Sequence, residues 1–420
     1  MFGFLFTPFI AHIYGPEVYG LFALFMSIIN NLVPVATLQF PAGFVVARNE
    51  HEFQNMVKLT FFSMIFFTIV ISLLTYVFSA ELLSFFNAES LVPYAIFIPL
   101  YIFFIAFDFT LLGWNIRLKE FKRGAFGKVL AVAGSKGFTV AYGFLIAPTA
   151  PGMILGNLLI YPFESLIKLS RSIRKDFYKV FQRVSLRELQ QTFNRFRAYP
   201  LFVTTGSIIN NLSGVLPVYY FSAAFTQSSV GFFALASSLV TMPVNIIVAS
   251  STTVFLQKAA DVHLNDPAQL KILTKKLYKR LFWPSFVALI VFALVSEWAF
   301  TLVFGEMWRQ AGIFASFLAI TSIFSVPANP LSVLFRIVNR ERTNFLINVS
   351  FTILKFAGLF WGIQQGEIIY SIIGFSFTSM ISYGIQLFCI FSIVKVNRAM
   401  LVRDFCIVLT LFLGLVLMKT

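Results

Sequence analysis

The sequence predicts an all-α polytopic membrane protein: two six-helix bundles, related as parallel pseudo-two-fold repeats around a central cavity, plus a short C-terminal helix. Three observations predict it. The 420 residues are 58% hydrophobic and only 12% charged, with 55 phenylalanines, which leaves too little polar surface to cover a soluble domain. The apolar residues fall in runs of spanning length between short polar breaks. The basic residues collect on one side of the resulting topology.

Taken in order, the spans run 2–14, 19–45, 57–78, 93–112, 125–146 and 152–167, then 199–221, 230–255, 281–303, 311–337, 345–363 and 368–394, with a short thirteenth at 405–418. The first is shorter than the ~20 residues a crossing needs. With no basic leader and no small-residue cleavage pattern before Tyr14-Gly15-Pro16, it reads as a partial span or the end of one that starts upstream, not as a signal peptide. The organisation that follows is a bundle over 1–167, a basic linker over 168–198, a second bundle over 199–397 and an additional helix over 398–420.

The run 168–197 carries nine Lys/Arg against Asp176 and Glu188. Such a segment stays in the cytoplasm, because its translocation is unfavourable and anionic lipid attracts it there. With six crossings before it, 28 of the 32 Lys/Arg fall on the cytoplasmic side and only Arg309 and Lys419 outside, with Lys136 and Lys355 inside spans. The positive-inside rule therefore accounts for the sequence pI of 9.8, and no nucleic-acid partner is expected.

The halves repeat. VYGLFALFMS at 18–27 aligns with SVGFFALASS at 229–238, an offset of 211, and Lys119-Glu120 corresponds to Arg340-Glu341 at an offset of 221. Six crossings separate the halves, so both start on the same side. Repeats so related share an axis along the membrane normal, which places a substrate site between the bundles.

The opening TPFIAHIYGPEVYGLFALFMSIINNLVPVATLQFPAGFVVARNEHEFQ resembles the start of the bacterial oligosaccharide flippases (Wzx-type), in the multidrug/oligosaccharidyl-lipid/polysaccharide exporter superfamily. The shared features are the Tyr-Gly-Pro-Glu turn with its Tyr-Gly-Leu continuation, residues 14–21, and the charged turn Arg48-Asn49-Glu50. The resemblance covers the whole chain in span pattern and about the first 60 residues in motif. It implies a multi-pass protein of the bacterial cytoplasmic (inner) membrane. Such a protein moves an undecaprenyl diphosphate-linked oligosaccharide outward by alternating access, for surface polysaccharide, lipopolysaccharide or O-antigen synthesis. Implied partners are the lipid-linked oligosaccharide, membrane lipids, a proton or sodium ion and the polysaccharide polymerase machinery.

Ionisable groups at bilayer depth are unfavourable unless they face a cavity or a partner. Lys136 and Lys355 lie near the middle of spans five and eleven, 219 residues apart, between the two repeat offsets. They are the expected ligands of the diphosphate. Asp108 in span four and Glu164 in span six are expected as a coupling-ion site, or alternatively as ion-pair partners of Lys136 that fix packing. Glu297 is expected at the external interface, and Asn30, Asn31, Asn210 and Asn211 in hydrogen bonds between helices. Pro34 and Pro243, in corresponding spans, are expected to bend their helices and mark hinges.

Cys389 and Cys406 lie in apolar segments and His12, His51 and His263 form no cluster, so neither a metal nor any other cofactor is expected. No phosphate loop, catalytic triad or folded external loop is present for chemistry on a glycan, and the chain reads as a non-enzyme. The alternative function is a cation-coupled multidrug exporter of the same superfamily. Its cavity should be acidic, whereas a lipid diphosphate calls for the basic cavity that two midplane lysines suggest. A membrane scaffold that transports nothing would have no use for buried charge.

Overall fold

The computed structural model describes residues 5–182, 184–265 and 267–419; the side chains of 121–123, 125, 264–265 and 267–268 lie outside that description, as does Arg183 of the basic run. Most of the described residues are helical, and none lies in a strand. Eleven helices among them are long and apolar enough to cross a membrane, as a multi-pass membrane protein requires. Contacts divide the chain into two units, Met1–Val230 and Gly231–Thr420.

In the first unit, α1 (Thr7–Thr37) is broken at Gly15, whose φ of 68° and ψ of 173° suit a residue without Cβ. The limbs on either side meet again: Ile10 and Tyr14 pack with Met153, and Phe6, Val18 and Phe22 close around them. The expected span 19–45 stops early. Leu38 and Gln39 turn left-handed, and Phe40–Val46 forms a tight turn whose Phe40 and Phe44 are fully buried. A buried apolar turn and the last turns of a membrane helix look alike in composition, so the boundary was not legible.

Next come α2 (Glu50–Phe85), whose Asn49 caps the first turn by accepting from Glu52 N at 2.8 Å, then α3 (Phe97–Arg117), α4 (Phe121–Leu145) and α5 (Ala150–Lys168). The helix α4 is long enough to span but falls outside the eleven. The basic run forms two amphipathic helices, α6 (Arg171–Phe181) and α7 (Leu186–Phe196). Their apolar faces hold them against the bundle: Phe177 and Phe181 pack on Phe61 of α2, and Phe177 on Trp114 of α3. A hydrogen bond between His51 and Glu188 (3.1 Å) and the ion pair Arg195–Glu52 tie α7 to the start of α2. A wide turn, Tyr199–Thr204, leads into α8 (Thr205–Ala224), which packs on α1.

The second unit contains most of α9 (Gln227–Asn265), then α10 (Pro267–Phe304), α11 (Arg309–Leu331), α12 (Glu341–Ile363), α13 (Ile368–Ile393) and α14 (Ala399–Lys419). Its core helix is α11, buried along nearly its whole length between α10 and α13. The sequence suggests a cytoplasmic loop over 257–280; instead α9 and α10 run on as helices through most of it. Ala, Leu and Lys dominate that stretch and favour helix, which charge alone does not reveal. The hairpin of α12 and α13 crosses closely: a Cβ on Gly358 would collide with the Gly374 backbone, and one on Gly362 with Ser371.

The repeat is visible in the backbone of each unit. After α3, Lys119 turns left-handed (φ 61°) and Glu120 N donates to Asn115 O; after α11, Asn339 (φ 56°) and Arg340 N to Phe335 O repeat the motif. The correspondence here is 220 residues, one fewer than the sequence match suggests. The break at Gly15 likewise matches the α8–α9 junction at residues 225–226.

Candidate functional site

The most concentrated buried charge lies in the first unit. Glu164 and Lys168 are one turn apart on α5, so they share a face, and that face meets Asp108 of α3. Lys168 Nζ donates to Asp108 Oδ2 at 2.7 Å and lies 2.8 Å from Glu164 Oε1; Ser165 Oγ donates to Asp108 Oδ1 at 3.4 Å. Asn115 Nδ2 donates to Lys168 O at 3.1 Å and so fixes the end of α5. Lys168 is 1% exposed, Glu164 6% and Asp108 9%.

Asp108 and Glu164 therefore pair with Lys168, not with Lys136. The apolar run ends at Ile167, and the next residue was assigned to the cytoplasmic segment. In fact α5 continues through it, and its ammonium turns back into the bundle. The cluster sets two carboxylates against one ammonium.

Lys136 is the sixteenth residue of α4. It shares a helical face with Val140 and Gly143, which meet the Tyr14 cluster and Ile13 of α1, so that face is turned into the bundle. Half-buried, it makes no ion pair among the described residues. Lys355 is the fifteenth residue of α12. Its ammonium lies 5.9 Å from the ring of Phe375 and 5.8 Å from that of Tyr383, both on α13, and has no carboxylate partner among the described residues. The close crossing at Gly358 and Gly374 brings those rings within reach.

Pro34 lies buried in the last turns of α1, and Pro243 lies within α9, which continues on both sides of it. The non-helical backbone inside α1 is at Gly15. Asn31 Nδ2 donates to Tyr219 Oη at 3.2 Å and Asn211 Nδ2 to Asn30 O at 3.0 Å, bonds between α1 and α8 of the kind expected. Glu297 is held by Arg309 at 2.8 Å and by Lys419. Among the described residues no group of His, Cys, Asp and Glu could hold a metal.

Besides Glu52 and Lys58 at the start of α2, two more deeply buried charges escaped the reading of the sequence. Lys168 is one. The other is Asp404, fully buried, which accepts from Tyr278 Oη at 3.0 Å and from Arg403 Nη2 at 2.8 Å. The available signal was the Arg403-Asp404 pair directly before an apolar run, which was read as a loop.

Two helical units that hold eleven apolar helices of spanning length among the described residues define a multi-pass membrane protein. The fold is similar to that of a multidrug resistance MATE family transporter of the MOP superfamily in its inward-facing conformation, with a TM-score of 0.75 at 13% identity over 94% of each chain. It is also similar to the lipid II flippase MurJ in an inward closed conformation: TM-score 0.71, 14% identity, 100% of this chain and 91% of that one. A third likeness is to a MOP superfamily transporter from Pyrococcus furiosus Vc1 whose binding pocket is described as reversed in polarity, at a TM-score of 0.56 and 14% identity over 94% and 92% of the two chains. No curated protein matches in sequence. Residues 9–313 match the family described as polysaccharide biosynthesis protein, and the chain belongs to that family.

Proposed function

We propose that this protein flips an undecaprenyl diphosphate-linked oligosaccharide from the cytoplasmic to the external leaflet of the bacterial inner membrane, with Lys136 and Lys355 as ligands of the diphosphate. The observation that carries the reading is the matched placement of these lysines, nine residues before the end of α4 and eight before the end of α12. Neither is neutralised by a carboxylate among the described residues. A diphosphate carries about two negative charges, and two ammonium groups complement it through charge-assisted hydrogen bonds that strengthen away from bulk water. Lysines release such a ligand more readily than a bidentate arginine clamp would, as transport requires. Membership of a polysaccharide biosynthesis family supports the glycan, and the fold shared with a lipid II flippase supports a lipid carrier.

Asp108 and Glu164 are the proposed coupling site, where uptake of a proton or a cation would neutralise the excess charge beside Lys168. Pro34 and Pro243 are the proposed bending points as the bundles alternate. Drug export is the second reading, favoured by that same acidic excess and by the fold shared with a MATE transporter. Glycan export in a deletion strain separates the two. Lys136→Ala and Lys355→Ala each lower export at normal membrane abundance, and Arg at either position restores part of it. Wild-type export by the double Ala variant overturns the lysines' role, and failure of the wild-type gene to restore export overturns the substrate.

A further inference from the structure

A cavity of about 400 Å³ opens between the ends of α9 and α10, within the second unit and away from Lys355. Three cations stand around it, Lys258 on α9 and Lys276 and Arg280 on α10. All three are exposed, and none forms an ion pair among the described residues. The walls between them are apolar, formed by Val254 and Phe255 on one side and Leu273 and Leu277 on the other.

The spacing explains why the two helices leave a space here. On α10, residues 273, 276, 277 and 280 lie on one face, so leucine and cation alternate along it. The facing positions on α9 begin with Ser250 and Ser251, too small to fill the gap. Toward the membrane, Val244, Leu281 and Val326 close the space with an apolar cluster.

Depth identifies the occupant. From Gln227, α9 needs about 20 residues to cross the hydrocarbon core, so residue 250 stands near the headgroup layer. From Phe304, α10 reaches the same layer near residue 281. The groove thus has its cations at headgroup level, on the side that carries the Lys/Arg excess, and its apolar walls lead from there. In the first unit α1 and α2 are joined by the turn Phe40–Val46, which packs on α2 and α3. That turn is held by Arg117 Nη1 donating to Phe44 O at 2.7 Å and Ala47 O at 3.1 Å.

We propose that this groove is a binding site for an anionic phospholipid of the cytoplasmic leaflet. The phosphate lies among Lys258, Lys276 and Arg280, and the upper part of one hydrocarbon chain lies against Val254, Leu273 and Leu277. Charge complementarity supplies the preference for anionic lipid. The apolar walls distinguish the site from a simple cationic surface, which would hold a soluble phosphate equally well. The site is independent of the proposed diphosphate lysines, because it shares no residue with them.

Native mass spectrometry of the full chain in detergent, titrated with phosphatidylglycerol, tests this. One phosphatidylglycerol should be retained at a concentration roughly tenfold below that needed for phosphatidylcholine. The combined variant Lys258→Gln, Lys276→Gln, Arg280→Gln should abolish that difference. Ser251→Trp, which keeps every charge but fills the groove, should do the same. The combined variant Arg171→Gln, Arg174→Gln, Lys175→Gln, on the exposed face of α6, should retain the lipid as wild type does. Equal loss in both charge variants overturns the proposal in favour of diffuse surface charge, and unchanged retention by Ser251→Trp overturns the groove. Displacement by inorganic pyrophosphate alone assigns the site to free phosphate, and much tighter retention of a polyprenyl phosphate assigns it to the transported lipid; either outcome overturns the phospholipid.

Discussion

Replacing Lys168 by methionine keeps most of the side-chain volume and removes an ammonium that lies 2.7 Å from Asp108 and 2.8 Å from Glu164. Two carboxylates are then left buried without a countercharge. Breaking a buried pair by deleting one partner destabilises by about 3–5 kcal/mol, a large fraction of the roughly 5–15 kcal/mol that holds a typical fold. For a unit of this size each kcal/mol moves the midpoint by about 2–4 °C, so Lys168→Met should lower Tm by roughly 6–20 °C. Thermal unfolding in detergent, followed by tryptophan fluorescence, reads this directly, because Trp114 on α3 is buried and is the single tryptophan within residues 1–230. Neutralising the carboxylates as well, with Asp108→Asn and Glu164→Gln in the Lys168→Met background, should recover more than half of the loss, since no charge remains to be desolvated. A drop below about 2 °C for Lys168→Met, or a further drop in the triple variant, would refute the reasoning.

Gly358→Val should force α12 from α13 and reduce export as strongly as Lys355→Ala, whereas Ala in place of the exposed Phe360 leaves it within twofold; export assayed at matched membrane abundance checks both. Removing both rings that face the Lys355 ammonium, Phe375→Leu with Tyr383→Leu, forfeits about 1–2 kcal/mol of cation–π attraction, seen as a five- to thirtyfold change in apparent substrate affinity if that lysine binds substrate. In a cysteine-free background, a cysteine at Arg174 should resist an impermeant maleimide in intact cells while one at Asn87 reacts; the reverse pattern inverts the topology. Pro34→Ala and Pro243→Ala should each slow export, and wild-type rates in both leave the prolines as static features.

The fold was legible because hydropathy and charge asymmetry are each written into the sequence many times over, so no single misread break could change the architecture. Where a boundary rested on composition alone the reading failed in a regular way. Phe40 and Phe44 were placed in a span because a buried turn is as apolar as a membrane helix. Residues 257–280 were placed in a loop because cations were taken as the mark of one, although lysine and leucine at helical spacing extend α9 and α10 equally well. The ion-pair partner was misassigned for the same reason. Asp108 and Glu164 were singled out by depth, but Lys168 was counted with the polar run it begins, and only the packing of α5 on α3 shows where its long side chain goes. The aromatic seat of Lys355 was invisible, because Phe375 and Tyr383 are two among many aromatics and only the glycine crossing selects them.

The left-handed turns at Lys119 and Asn339 act as a ruler. Each sets the first residue of the helix that follows, and from those starting points, Phe121 and Glu341, Lys136 and Lys355 are carried 15 and 14 residues upward. At 1.5 Å per residue both ammonium-bearing positions stand about 21–23 Å along the helix from those first residues. Single-residue insertions in α4 between the turn and Lys136 would advance that lysine by about 1.5 Å, swing it by about 100° and widen the present one-residue difference from its counterpart to two. Length, then, and not only charge, is what these two helices must keep.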